Sequence, residues 1–173
     1  MTSFFEIVSY RPEWQDQFSA AAAQLRPVFG KNLVYIHHIG STSIPEIFAK
    51  PVIDMLVEVQ NISTVDCQNA LMSALGYEVK GEFGITGRRY FRKNDEHGRR
   101  IHQVHTFETG CSEVARHIGF RDFMIAHPDW AQHYSELKLR LAAEFAQSPE
   151  RYMDGKDPFI RRIDQLVARQ SQS

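Results

Sequence analysis

Cysteine is scarce in this 173-residue chain: Cys67 and Cys111 are the two present, with no CxxC pair and no Cys/His zinc spacing. That excludes a disulfide-built scaffold and a zinc ribbon or finger, and it favours reduced thiols in a cytosolic setting. No apolar run is long enough to span a bilayer. The opening stretch, MTSFFEIVSYRPEW, lacks a basic region followed by an apolar core, so no signal peptide is expected and the reading is cytoplasmic. There is no basic excess either. Lys and Arg number 20 against 21 Asp and Glu, a formal net charge of −1. This removes the simplest argument for a nucleic-acid binder and weighs against tight nonspecific binding to nucleic acid. Repeats, low-complexity stretches and linkers are missing as well, which favours one domain over residues 1–173.

What is present has the composition of a soluble globular protein, 43% hydrophobic and 24% charged. Pro12 suits the first position of a helix that carries Trp14, Phe18, Ala21, Ala22 and Leu25 at helical spacing and stops at Gly30. Leu33 to His38 reads as a strand, Gly40-Ser41-Thr42-Ser43 as a turn, and Pro45 to Ala49 as a short irregular or helical piece. Pro51 to Val59 is a strand too apolar for an exposed face, hence central. Ser63 and Asp66 resemble a capping box for a helix to Leu75, with Gly76 as its stop. Tyr77–Val79, Arg88–Lys93 and Arg100–Phe107 read as strands, the last two joined by a turn at Asn94–Gly98. Ser112 is expected to cap a helix ending near His127. Tyr134, Leu137, Leu141 and Phe145 stripe the next helix, and Asp157-Pro158 signals the start of a final one. The order gives an α+β fold with a helical C-terminal third.

Asp54 is the anomaly, a carboxylate inside Val52-Ile53-Asp54-Met55-Leu56-Val57. A charge in a buried strand requires a partner, such as Lys50, Arg89 or a histidine, or else a metal. The strand follows the Gly-Ser turn. Gly40 lets backbone approach a phosphate, and Ser41, Thr42 and neighbouring N–H groups can bind its oxygens. An aspartate one strand away can hold Mg²⁺. Together these describe a nucleotide site.

HIGSTSIP followed by AKPVIDMLVEV resembles the signature of the GrpB family of bacterial proteins. The likeness continues through Tyr10-Arg11-Pro12-Glu13-Trp14, Arg100-Ile101-His102-Gln103-Val104-His105, Gly119-Phe120-Arg121-Asp122-Phe123 and His127-Pro128. It then covers Tyr134 with Glu136-Leu137-Lys138, and Tyr152 with Lys156 and Phe159-Ile160. The resemblance implies a nucleotidyltransferase-like mixed β-sheet flanked by helices, and implies the reaction far less. Nucleotidyltransferases of the polymerase-beta type carry two acids two residues apart and a third on a neighbouring strand. Asp54 matches the first, but Leu56 holds the second position. Glu58, about 13 Å further along the strand, does not replace it.

The neighbouring strand offers His102 and His105, whose spacing places them on opposite faces of a regular strand. One of them is expected to face Asp54 and to complete a metal shell or act as a base. The divalent metal is expected to be Mg²⁺ or Mn²⁺, the imidazole shifting preference away from Mg²⁺. Lys50, Arg89, Lys138 and Lys156 are candidates for phosphate neutralisation, and Tyr134 and Tyr152 for stacking on a base. Arg121-Asp122 reads as an internal salt bridge. Two main functions follow, with a metal-dependent hydrolase using the histidines as a third. One is transfer of NMP to an unidentified small-molecule acceptor, with Asp54, His105 and His102 as the catalytic and metal-binding set. The other is a non-catalytic module for a nucleotide or other phosphate-bearing ligand, supported by the missing acid at Leu56.

Overall fold

The computed structural model describes residues 6–173. Five strands form one mixed sheet in the order β1-β2-β5-β4-β3. They are β1 Leu33–Ile39, β2 Ile53–Val59, β3 Glu78–Val79, β4 Arg89–Asn94 and β5 Arg100–Glu108. β2 and β5 pair in parallel, and the other pairs are antiparallel. β2 is central and almost wholly apolar, as a strand covered on both faces must be.

Helix α1, Glu13–Phe29, lays Trp14, Ala21, Ala22, Leu25 and Phe29 on one face of the sheet, against Ile53, Met55, Val57 and Val104. Helix α2, Asn69–Ala74, joins that core through Met72. The opposite face carries Leu56, Ile39 and Phe107 under Val114 of α3, Ser112–Ala126. Helices α4, Pro128–Glu144, and α5, Pro149–Gln170, pack beyond α3 and enclose Ile44 and Ile47 from the segment after the Gly-Ser turn. α4 and α5 approach closely at Gly155, where a Cβ would lie 2.5 Å from Leu141 Cδ2. No helix among the described residues is long and apolar enough to cross a membrane.

Three local expectations are corrected. The supposed capping box at Ser63 and Asp66 is a 3₁₀ segment, Ser63–Gln68, ahead of a short α2. Asn61 does the capping, its Oδ1 accepting from the Ser63 and Thr64 N–H groups, while Asp66 pairs with Arg89. Ser112 is the first residue of α3 and its cap position is Cys111, without a side-chain cap. The last helix begins at Pro149, eight residues before the expected Asp157-Pro158, and Pro158 lies inside it. Asp157 pairs with Arg161 one turn on at 2.7 Å rather than capping. The turn at Asn94–Gly98 forms as expected, with Asp95 Oδ1 accepting from the His97 and Arg99 N–H groups. Arg121 meets Asp122 at 2.9 Å and also donates to the His38 carbonyl.

Candidate functional site

β1 ends at Ile39, opposite Asp54 on β2. Gly40 then turns the chain at φ 72°, ψ −173°, a conformation that favours glycine, and its carbonyl accepts from both the N–H and the hydroxyl of Ser43. Thr42 is buried behind the turn. Its hydroxyl donates to the Val52 carbonyl and accepts from His38 Nε2 at 3.0 Å, so its polar capacity is used internally. Burial pushes His38 down to about 4, helped by Arg121 and opposed by Asp54. Ser41 turns the other way and hydrogen-bonds Tyr134 of α4.

In front of Asp54 lies a cleft of about 230 Å³, lined among others by Ser41, Lys50, Gln103, Lys138 and Lys156. Its floor is sheet and its walls are α4 and α5. Lys138 is 2% exposed; its Nζ donates to the Phe48 carbonyl and lies 4.7 Å from the centre of the Tyr134 ring. Lys50 and Lys156 share the Tyr152 ring, at 4.8 and 4.7 Å. Aromatic faces are a physically suitable seat for ammonium groups drawn partly out of water. Burial, then the positive charges of Lys156 and Lys50, brings Lys138 down to about 7. Burial and Lys156 bring Lys50 down to about 8 against the pull of Asp54, and burial lowers Lys156 as well. The lysines therefore sit where a further negative charge is favoured.

Sheet alternation settles the histidines. His105 is level with Leu56 and shares the face of Asp54, with Nε2 3.7 Å from Oδ1. His102 points to the α1/α2 side, where Nδ1 shares a 2.8 Å hydrogen bond with the Tyr77 hydroxyl. Burial, then Lys93, lowers His102 to about 4, and burial raises Tyr77 to about 12. Arg89 is also turned from the cleft, its guanidinium held by both oxygens of Asp66 at 2.7 and 3.1 Å. Of the residues singled out in the sequence, Gly40, Ser41, Lys50, Asp54, His105, Lys138 and Lys156 gather on one side; Thr42 also lines the cleft, with its hydroxyl engaged internally; His102 and Arg89 are elsewhere.

The position of the second acid is closed. Leu56 is fully buried among Ile39, Phe107 and Val114. Glu58 is committed to His37 at 3.0 Å and to the Thr109 hydroxyl at 2.6 Å. Among the described residues no three His, Cys, Asp or Glu side chains converge as a metal site built by protein alone would require. One carboxylate does suit a Mg²⁺ ion that arrives already chelated by phosphates, since that ion keeps most of its ligands from water and substrate. Asp54 fits that arrangement.

Two residues outside the expected site set also stand on this face. Gln103 is directly opposite Asp54 across the parallel β2–β5 pair and lines the cleft. The alternation of RIHQVH puts it on the face of His105, but only the register reveals that it is level with the acid. Arg88, not Arg89, is the arginine on this face, with Nη1 3.4 Å from His105 Nδ1.

The GrpB protein family model matches residues 5–166. The UPF0157 protein YqkA of Bacillus subtilis is 44% identical over 164 residues, covering 95% of this chain and 47% of its own. A UPF0157 protein of Pseudomonas aeruginosa is 34% identical, covering 91% of this chain and 65% of its own. The chain thus spans about half the length of the first and about two thirds of the second. The crystal structure of conserved protein GrpB from Enterococcus faecalis superposes with a TM-score of 0.91 at 37% identity, over 97% of this chain and all of that one. Cid1 poly(U) polymerase, crystallised with MgGTP, superposes at 0.52 with 12% identity over 85% of this chain and 50% of its own, a likeness of fold alone.

Proposed function

This chain belongs to the GrpB family, and from that premise we propose that it binds a nucleotide, or a phosphate-bearing small molecule of similar charge, in the cleft between the sheet and helices α4 and α5. One observation carries the reading: Lys50, Lys138 and Lys156 converge beside Ser41 and Asp54. Desolvation and mutual repulsion both act against charged lysines in such a grouping. A polyanion cancels the repulsion and offsets the lost hydration with charge-assisted hydrogen bonds. Lys138 and Lys156 would meet phosphate oxygens from the helical side, and Lys50 and Ser41 from the sheet side. Gly40 permits the backbone of the turn to lie against the carboxylate. Asp54 would hold a divalent ion, Mg²⁺ or Mn²⁺, brought in with the phosphates. That ion, when bound, would neutralise charge on the phosphoryl oxygens.

Isothermal titration of metal-free protein with ATP, GTP, CTP and UTP, each with and without Mg²⁺ or Mn²⁺, tests this. Saturable binding is expected, weakened at least tenfold by Lys138→Met and losing its metal dependence in Asp54→Asn. Silence from all four nucleotides with folded protein would remove the nucleotide reading, and inorganic pyrophosphate would then be titrated in their place.

Transfer of NMP to a small-molecule acceptor is the second reading, favoured by the placement of His105 against Asp54. It requires pyrophosphate release that Asp54→Asn abolishes. Binding without turnover under either metal would leave the module reading alone.

A further inference from the structure

Arg88 precedes β4 and is only 7% exposed, yet among the described residues no carboxylate is in salt-bridge contact with it, Glu113 acting on it only through its charge. The preceding loop holds it instead. Nη2 donates to the Phe83 carbonyl at 2.7 Å, Nε donates to the Glu82 carbonyl at 3.1 Å, and the guanidinium lies 4.9 Å from the centre of the Tyr90 ring. The remaining edge presents Nη1 to His105 Nδ1 at 3.4 Å. Tyr90 and His117 stand beside the imidazole with ring centres at 5.3 and 5.7 Å.

A guanidinium has donors and no acceptor. His105 Nδ1 must therefore accept, and its lone pair is spoken for. In the neutral ring the proton is then on Nε2, the nitrogen that faces Asp54. We infer that Arg88 is a positioning residue which fixes His105 with its proton on Nε2, so that His105 acts as a hydrogen-bond donor toward Asp54 and a ligand oxyanion and is not a metal ligand. A metal ion on Nε2 would need the lone pair there and the proton on Nδ1. That N–H would then point at an N–H of Arg88, which two carbonyls hold in place. Metal-binding histidines show the opposite arrangement, passing their second N–H to a carboxylate, a carbonyl or water. The inference assigns His105 its part in the site proposed above and rests on that reading only for the identity of the ligand.

The test is ring-nitrogen NMR on protein carrying isotope-labelled histidine, with His105 assigned through His105→Gln. The wild-type protein is expected to show a proton on Nε2 alone and an accepting Nδ1. Arg88→Met is expected to shift the Nδ1 signal and bring in a second set of signals with the proton on Nδ1, while Arg88→Lys keeps a donor and moves back toward the wild-type pattern. A proton on Nδ1 in the wild type overturns the inference, as does an unmoved Nδ1 signal in a folded Arg88→Met protein. Should the arginine variants not fold, Zn²⁺ alone added to the wild type decides: no coordination shift at His105 Nε2 is expected, and such a shift is fatal. All of this is read without nucleotide, so a failure to bind nucleotide strikes the preceding reading and leaves this one standing.

Discussion

Gly40 and Asp54 are in contact so close that a Cβ on Gly40 would lie 2.6 Å from Asp54 Oδ2. The turn and the acid are thus one unit, although fourteen positions separate them in the chain. Gly40→Ala must move the carboxylate or the turn, and it adds a Cβ to a backbone at φ 72°. A loss of about 1–3 kcal/mol in denaturant unfolding is expected. Nucleotide binding should fall with it, by more than Ser41→Ala alone produces. Unchanged stability would mean that the turn is not held as described.

Lys138 gives the protein a pH signature. Its folded value of about 7 is below the ordinary 10.5. Between those values the unfolded chain holds a proton that the folded chain lacks, so stability rises with pH across that window, by at most about 1.4 kcal/mol per pH unit for one group. Lys50, at about 8, adds to the slope higher in the same window. Urea midpoints between pH 7 and 8 should climb in the wild type and climb less in Lys138→Met. Nucleotide binding above pH 7 should take up protons, seen as a dependence of the titration heat on the buffer. Identical slopes in the two proteins would contradict the buried placement of Nζ.

Restoring the second acid should not restore a two-acid site. Leu56→Asp would place a carboxylate among Ile39, Phe107 and Val114, level with His105, whose Nδ1 already faces Arg88. A loss of at least about 3 kcal/mol is expected, from the lost apolar packing and the buried charge together. A stable variant that gained pyrophosphate release would show this reading of the strand to be mistaken.

The architecture was legible where one periodicity dominated. Trp14 through Leu25 and the run from Ile53 to Val59 each point to a single structure, and the structure has both. Asp54 stood out because burial and charge conflict. Register was not legible. RIHQVH shows that His102 and His105 are on opposite faces, but the pairing of β5 with β2 decides which one meets Asp54, and it brings in Gln103. Arg88 and Arg89 are adjacent in sequence, and the same alternation divides them. The long last helix was missed because Pro158 reads as a beginning, whereas Pro149 had already supplied one.

Arg89 supplies the contrast. Its pair with Asp66 is on the surface, where such pairs contribute about 0–1 kcal/mol. Arg89→Ala should cost no more than that and leave nucleotide affinity within twofold. A tenfold loss would return Arg89 to the site.

Helices α4 and α5 meet closely at Gly155. Lys138 and Lys156 ride on these helices, while Asp54 and Ser41 belong to the sheet side. An anion held by lysines of both sides would add to the ties the two layers already make through Lys138 and Phe48 and through Ser135 and Phe48. A ligand that binds only the folded protein would, at a hundred times its Kd, raise its stability by about 2.7 kcal/mol, visible as slowed amide exchange. Conversely, a methyl group at Gly155, pressed into Leu141, would weaken the ligand's hold without touching the ligand.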